Sequence, residues 1–377
     1  MGYKYLKRGI RIGFSFTLGM MLLLSGCSGG MEEMQTSQIP EHKDSATEVE
    51  DVNLVEPDSS IFELEEGLFA VRYNGDYGFD GFIDQGGASS DGEVITYLAD
   101  NLLSGLNLGD LLGGVFGCST IAVQSPEGDA LFGRNFDWNT CEAMVVEARP
   151  ENGYASLSTV NMDFITQNVG GGMVGMALSL DEVRTLAALY APLDGMNEAG
   201  LAVSVNMIQD SAQIEQNTDK PDITTTTAIR LLLDRAGSVD EALELLGQYD
   251  LHGSMGMMIH FAIADSTGRS VAVEYVENEM IVTETPVLTN FYLAEGEKQG
   301  IGTEQSRERY NILMERLEEN PEMRMDAVRD ALDSVSKDNF GEFESTEWSI
   351  VMNLSAGEAR YYHRENYEQD YTFRLGE

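Results

Sequence analysis

The stretch from Gly117 to Trp138 constrains this chain more than any other, because it reads as two strands joined by one tight turn. Cys118-Ser119-Thr120-Ile121-Ala122-Val123-Gln124 leads into Ser125-Pro126-Glu127-Gly128-Asp129, and Ala130-Leu131-Phe132-Gly133-Arg134-Asn135-Phe136-Asp137-Trp138 leads out. Pro and Gly set a reversal between runs rich in β-branched and aromatic residues, which is the pattern of a hairpin. Folding the chain back about Pro126 sets Cys118 opposite Arg134, and directly opposed side chains share one face of a sheet. A guanidinium beside a thiol favours the thiolate. Asp137 lies three residues beyond Arg134, so alternation turns it to the other face, and a strand end or bulge is needed to bring it to the sulfur.

Downstream, further strands are expected at Met144 to Ala148, Thr185 to Ala191 and Leu201 to Met207, then helices from Thr226 to Arg235 and after Ser238-Val239-Asp240-Glu241, a capping-box spacing. Ile259 to Ala264, Ser270 to Tyr275, Glu279 to Thr283 and Val287 to Asn290 read as a meander. Helices return at Ser306 to Leu317 and Met325 to Val335, before a hairpin of Trp348 to Leu354 with Ala359 to Arg364. Strands and helices fall in blocks, which predicts an α+β fold rather than an alternating parallel sheet. Gly170-x-Gly172-x-x-Gly175 matches a dinucleotide fingerprint but lacks a helix to open, and is read as a loop.

The first residues carry an export signal. Lys4, Lys7, Arg8 and Arg11 precede an apolar run, Phe14 to Leu24, too short to span a bilayer. It ends in Leu24-Ser25-Gly26-Cys27, which resembles a bacterial lipobox, and that resemblance implies cleavage before Cys27 and lipid on its sulfur. The expected divisions are therefore a signal peptide over 1–26, a solvated tether over 27–66, a propeptide over 67–117 and a catalytic domain over 118–377. From Met31 to Glu66 there are twelve acidic residues and one lysine, with little apolar periodicity. The whole chain has 64 acidic against 23 basic residues, a formal charge of −41, which makes nucleic acid and anionic membrane surface poor partners. Three cysteines are too few for a disulfide framework; with Cys27 lipidated, Cys118 and Cys141 remain as one pair or two free thiols, Cys141 reading as a small packed residue.

A cysteine nucleophile ordinarily works with a histidine base. His42 lies in the acidic segment, His363 in the last strand, and His252 and His260 near the start of the meander, with no Asn or Asp pattern to orient them. The other base available at neutral pH is the α-amino group of Cys118 itself, once freed as a chain terminus, with a reference pKa of about 7.7–8.0.

At this point the residues resemble the choloylglycine hydrolase and linear-amide C–N hydrolase group, which includes bile salt hydrolases, penicillin V acylases and, more distantly, acid ceramidase. The resemblance rests on Cys118, Phe-Gly-Arg-Asn-Phe-Asp-Trp at 132–138, Gly-Met-Asn-Glu-Ala-Gly-Leu-Ala-Val at 195–203, Leu288-Thr289-Asn290 and Ser306-Arg307. It implies a four-layer αββα sandwich of two antiparallel sheets, the N-terminal-nucleophile (Ntn) hydrolase fold. It also implies a small-molecule amide substrate and no metal or cofactor. Carried over, Cys118 is the nucleophile, Arg134 and Asp137 hold its sulfur and amine, Asn290 offers an N–H to the oxyanion, and Arg307 completes the site. Asn206 matches, after a one-residue gap, the position whose backbone helps form the oxyanion hole. Since 117 residues precede Cys118, cleavage at Gly117-Cys118 is required. Acyl transfer with the same nucleophile, a non-catalytic ligand-binding lipoprotein and self-association remain open.

Overall fold

The computed structural model describes residues 53–102, 117–166, 180–337 and 344–376. Cys27, the signal sequence and the Gly170 to Gly175 loop lie outside the described residues. Among those described, fifteen of seventeen strands build two main sheets. The larger runs edge to edge through β1 (Phe62–Glu65), β2 (Leu68–Asn74), β5 (Ala143–Arg149), β6 (Ser156–Asn161), β7 (Asp194–Asn197), β8 (Leu201–Met207), β11 (Ile259–Asp265), β12 (Ser270–Val276) and β13 (Glu279–Glu284). The smaller runs through β14 (Val287–Leu288), β3 (Gly117–Gln124), β4 (Ala130–Trp138), β15 (Ser345–Asn353), β16 (Glu358–His363) and β17 (Tyr371–Arg374). A short parallel pair, β9 (Asp222–Thr224) and β10 (Asp250–His252), stands apart.

Helices α1 (Phe79–Asp84), α2 (Asp91–Tyr97), α3 (Asp163–Thr166) and α4 (Asp181–Leu189) precede α5 (Thr225–Arg235) and α6 (Val239–Leu246), which pack on the larger sheet. Helices α7 (Glu304–Glu319) and α8 (Met325–Asp333) pack on the smaller. The architecture is the expected α+β arrangement of helix, sheet, sheet and helix. Strand β4 is buried along its whole length because it is sandwiched: Phe136 stacks on Trp348 with ring centroids 3.9 Å apart on the inter-sheet side, while Gly133 lies under Val328 and Leu332 of α8 on the other. A β-carbon at Gly133 would approach Val328 to 2.7 Å, so this close helix-on-strand packing requires glycine.

Four expectations change. The run from Thr185 to Ala191 is helical, within α4, because an apolar run of this length fits either period and its burial against the larger sheet selects the helix. Order does not wait for residue 67: Val55 donates its N–H to the Thr372 carbonyl, and Phe62-Glu63-Leu64-Glu65 alternates as the edge strand β1, its apolar members packed against the core. The tether reading therefore fails for residues 53–66, where two apolar side chains at period two are enough to recruit an acidic segment to a sheet edge. The larger sheet is also not wholly antiparallel, since β2 lies parallel to β5. Finally, the hairpin register differs by two residues: Cys118 pairs with Phe136, and Arg134 with Thr120. Pro126 is the second residue of a five-residue turn, Ser125 to Asp129, rather than its centre. Ser125 donates its N–H to Asp129 O, and Gly128 adopts φ +95°, a left-handed conformation that glycine takes without steric cost.

Candidate active site

The two-residue register shift preserves parity, so Cys118, Arg134 and Phe136 still share the face turned toward the larger sheet. Arg134 is fully buried there. Its Nε donates to Asp194 Oδ2 at 2.5 Å and its Nη1 to the Val205 carbonyl at 3.0 Å, while Nη2 has no partner. Trp348 Nε1 donates to the same Asp194 oxygen at 3.0 Å, so β7, β8 and β15 together hold the guanidinium. Burial pushes the Cys118 thiol up to about 11 in the uncut chain; Arg134 and Arg309 pull it down, and Asp137 pushes it up.

The edge of β3 beyond Cys118 is completed by β14. Leu288 pairs with Thr120, so the register carried two residues on brings Asn290 beside Cys118. Asn290 Oδ1 accepts the Cys118 N–H at 2.8 Å, and its Nδ2 donates to the Met207 carbonyl at the end of β8, 2.7 Å away. Asn206 does not touch Cys118 through its side chain; its Nδ2 donates to the carbonyls of Leu288 at 3.3 Å and Thr289 at 3.2 Å, tying β8 to the segment that presents Asn290.

Asp137 faces the helices, as alternation requires. Its Oδ1 accepts from Thr346 Oγ1 at 2.7 Å, and its Oδ2 lies 3.4 Å from Arg309 Nη1 and 3.7 Å from Lys337 Nζ. A register shift in β15 between Thr346 and Trp348 accompanies this turn, and Asp137 pairs with Gly117, so its carboxylate lies against the Gly117–Cys118 peptide. A β-carbon on Gly117 would come within 2.7 Å of Asp137 Oδ2 and of Lys337 Nζ.

Arg307 is not brought to the site. It is exposed on α7 and donates to the carbonyls of Gly300 and Gly302. Arg309, two residues on, is the arginine at the cysteine. Its Nη1 donates to the Cys118 carbonyl at 2.7 Å and to Ser119 Oγ at 2.5 Å, and its Nη2 donates to Asn290 Oδ1 at 2.7 Å. The reason is helical phase: Ser306, Arg309 and Leu313 make the buried stripe of α7, and a step of two residues rotates a side chain to the opposite side.

The sequence assigns no role to the other side chains at the site. Ser306 Oγ accepts the Asn290 N–H at 2.6 Å. His260, dismissed as a base, hydrogen-bonds the Thr289 carbonyl through Nε2 at 2.8 Å and Glu274 through Nδ1 at 3.1 Å, and Glu274 accepts from the Leu293 and Ala294 N–H groups. This pair anchors both ends of the Asn290 segment. Alternation on β11 and β12 sets them on the face opposite the large apolar side chains, and only the pairing of His260 with Glu274 reveals a partnership. Cys141 is buried and free, with its N–H on Glu347 Oε2 at 3.1 Å, as is Cys118. Among the described residues no group of three His, Cys, Asp or Glu side chains is placed to hold a metal ion.

The arrangement can set a guanidinium on the sulfur's face of β3, hold the cysteine nitrogen and carbonyl at the strand edge, and place a carboxylate at the preceding peptide. Comparison with known proteins finds a family match over the segment that begins at this cysteine. Residues 118–291 match the family of linear amide C–N hydrolases, choloylglycine hydrolase family. A bile salt hydrolase/transferase from Clostridium perfringens is 27% identical over 183 residues, covering 46% of this chain and 53% of that protein, so the match spans about half of the relative's length. A crystal structure of conjugated bile acid hydrolase from the same organism superposes with a TM-score of 0.50 at 19% identity, covering 68% of this chain and 92% of that one. A second variant of that hydrolase gives 0.50 at 17% identity with the same coverage. These likenesses show the fold. Residues 118–291, a little under half of the chain, are thus similar to the linear amide C–N hydrolases of the choloylglycine hydrolase family, and the fold is that of the Ntn hydrolases.

Proposed function

We propose that this protein is a cysteine amidohydrolase of linear N-acyl amides, activated by cleavage of its own Gly117–Cys118 bond. The observation that carries the reading is the convergence of Asn290 and Arg309 on the nitrogen and carbonyl of Cys118, with the family match opening on that same residue. In the uncut chain the thiol is protonated at neutral pH. Attack of the Cys118 sulfur on the Gly117 carbonyl moves the acyl group from nitrogen to sulfur, and water then hydrolyses the thioester, leaving a Gly117 carboxylate and a free Cys118 amine. Asp137 and Lys337 crowd this peptide and leave room for no side chain at 117.

Catalysis repeats that chemistry on substrate. The freed amine takes the thiol proton, and Arg134, whose Nη2 is buried without a partner, favours the resulting thiolate. The thiolate adds to the amide carbonyl. Asn290 Nδ2, which in the uncut chain donates to Met207, is assigned to the oxyanion, with a backbone N–H of the Asn206 region as second donor. The Cys118 ammonium protonates the leaving amine, and water, deprotonated by the same amine, releases the acid. Arg309 and Asp137 position the cysteine.

N-terminal sequencing of purified, active protein tests the reading: a chain beginning at Cys118 is expected, and full activity in an intact chain overturns it. Cys118→Ala should remain uncut. Because the matched relative is named as both hydrolase and transferase, product analysis with added amines separates hydrolysis from acyl transfer. A lipid anchor on Cys27, placing the enzyme outside the cytoplasmic membrane, is the reading the leader sequence supports; fatty-acid labelling that survives in Cys27→Ser rejects it.

A further inference from the structure

We propose that Lys337 is the cation that serves cleavage of the Gly117–Cys118 bond and has no comparable part in later turnover. The inference rests on the cleavage reading above. Lys337 follows α8 and is buried, with its backbone fastened to β15: its N–H donates to Thr346 Oγ1 at 2.8 Å, and its carbonyl accepts the Thr346 N–H at 2.9 Å. Thr346 Oγ1 in turn donates to Asp137 Oδ1 at 2.7 Å, so one hydroxyl sets the lysine and the carboxylate against each other.

The ammonium stands on the helix side of the Gly117 peptide. A β-carbon on Gly117 would meet Lys337 Nζ and Asp137 Oδ2 at 2.7 Å each, on the side away from the Cys118 sulfur, because neighbouring residues of a strand turn to opposite faces. The sulfur therefore approaches the Gly117 carbonyl carbon from the inter-sheet side. As that carbon becomes tetrahedral, its other substituents bend away from the sulfur, and the oxygen, gathering negative charge, moves toward the helices and Lys337.

Among the described residues, four charged groups meet here. Lys337 Nζ lies 2.5 Å from Glu344 Oε2 and 3.7 Å from Asp137 Oδ2, and Arg309 Nη1 lies 3.4 Å from the same Asp137 oxygen. Two cations thus balance two carboxylates. Without Lys337, both carboxylates would act on an oxygen turning negative, with one guanidinium left to offset them, and burial makes that repulsion strong. Arg309 has its N–H groups committed to the Cys118 carbonyl, Ser119 and Asn290.

The cleavage consumes only water. The sulfur–carbon bond forms, the carbon–nitrogen bond breaks, and the thiol proton ends on the Cys118 nitrogen; water then adds to the thioester, giving the Gly117 carboxylate and freeing the thiol. In turnover the reacting carbonyl belongs to the substrate and is assigned to Asn290 Nδ2, beside Met207, while Gly117 is no longer bonded to Cys118. The charge on Lys337 then acts on a carbonyl that has left the reaction.

The test follows full-length chains made by cell-free synthesis, with cleavage read by mass analysis over time and kcat normalised to cleaved chains by thiol titration. Lys337→Met should slow cleavage at least about tenfold, with kcat per cleaved chain within about threefold of wild type, and Lys337→Arg, which keeps the charge, should restore most of the rate. Glu344→Gln removes an opposing carboxylate and should speed cleavage about two- to threefold, a sign of change that damaged packing does not produce. Lys337→Met cut at the wild-type rate, or with kcat per cleaved chain lowered as far as its cleavage, overturns the role of Lys337. Glu344→Gln cut no faster than wild type overturns it as well. Wild-type protein that is active and never cut overturns the cleavage reading itself.

Discussion

The strand that carries Cys118 has an arginine on each side, and the two are kept in different ways. On the inter-sheet side Arg134 is fully buried and ion-paired to Asp194, sealed by the stacked rings of Phe136 and Trp348. On the helix side Arg309 spends its N–H groups on neutral oxygens, those of Cys118, Ser119 and Asn290, and reaches Asp137 only at 3.4 Å. The first arrangement sets charge beside a sulfur in a medium of low polarity, where a unit charge acts strongly and breaking its pair is costly. The second fixes the position of a backbone. Electrostatic tuning and positioning are thus divided between the faces of one strand.

Arg134→Met breaks the comparison hardest. With Asp194 left buried and unpaired, a loss of about 3–5 kcal/mol is expected in denaturant unfolding. The thiol pKa should rise by about 1–3 units, read from the pH dependence of alkylation. Adding Asp194→Leu should restore much of the stability and none of the thiol reactivity; recovery of both would mean that Arg134 is structural only. Arg309→Met should lower kcat by about 100-fold, the scale of a reacting group misplaced by about 1 Å, while moving the alkylation profile less than Arg134→Met does. Equal shifts in that profile would erase the division between the faces.

His363 offers a third buried site as a control on acid stability. Burial and the neighbouring Arg364 lower its pKa from 6.5 to about 4, so the folded protein keeps it neutral where the unfolded chain would bind a proton. That contribution is complete above pH 6.5 and is lost as pH falls toward 4, on the order of 3 kcal/mol. In His363→Gln the acid limb of the stability curve should flatten, and an unchanged slope rejects the assignment. The smallest effect is expected of Arg307→Ala: an exposed side chain bonded to two loop carbonyls should change stability and activity by less than about 0.5 kcal/mol. A large loss there would return Arg307 to the site in place of Arg309.

Local pattern made part of this legible. The hairpin, the shared face of Cys118 and Arg134, and the terminal strands from Trp348 onward follow from alternation and turn chemistry acting over a few residues. Arg309 was within reach of the same reasoning, since the apolar stripe of α7 at Leu313 and Leu317 points back to position 309 rather than 307. The ion pair of Arg134 with Asp194, sixty residues away in sequence, was not. Nor was the link from His260 to the Asn290 segment, because strand alternation names the buried face and leaves its partner open.

By itself the sequence determined that Cys118 opens a strand, that an arginine shares its face, and that glycine precedes it, because these depend on period two and on one turn. Only the tertiary structure decided which arginine of α7 reaches the cysteine, which carboxylate neutralises Arg134, and that residues before Cys118 are woven into the larger sheet. Those outcomes depend on contacts between segments far apart in the chain, where register and helix phase, set by how whole faces bury against one another, choose among partners of the same chemistry.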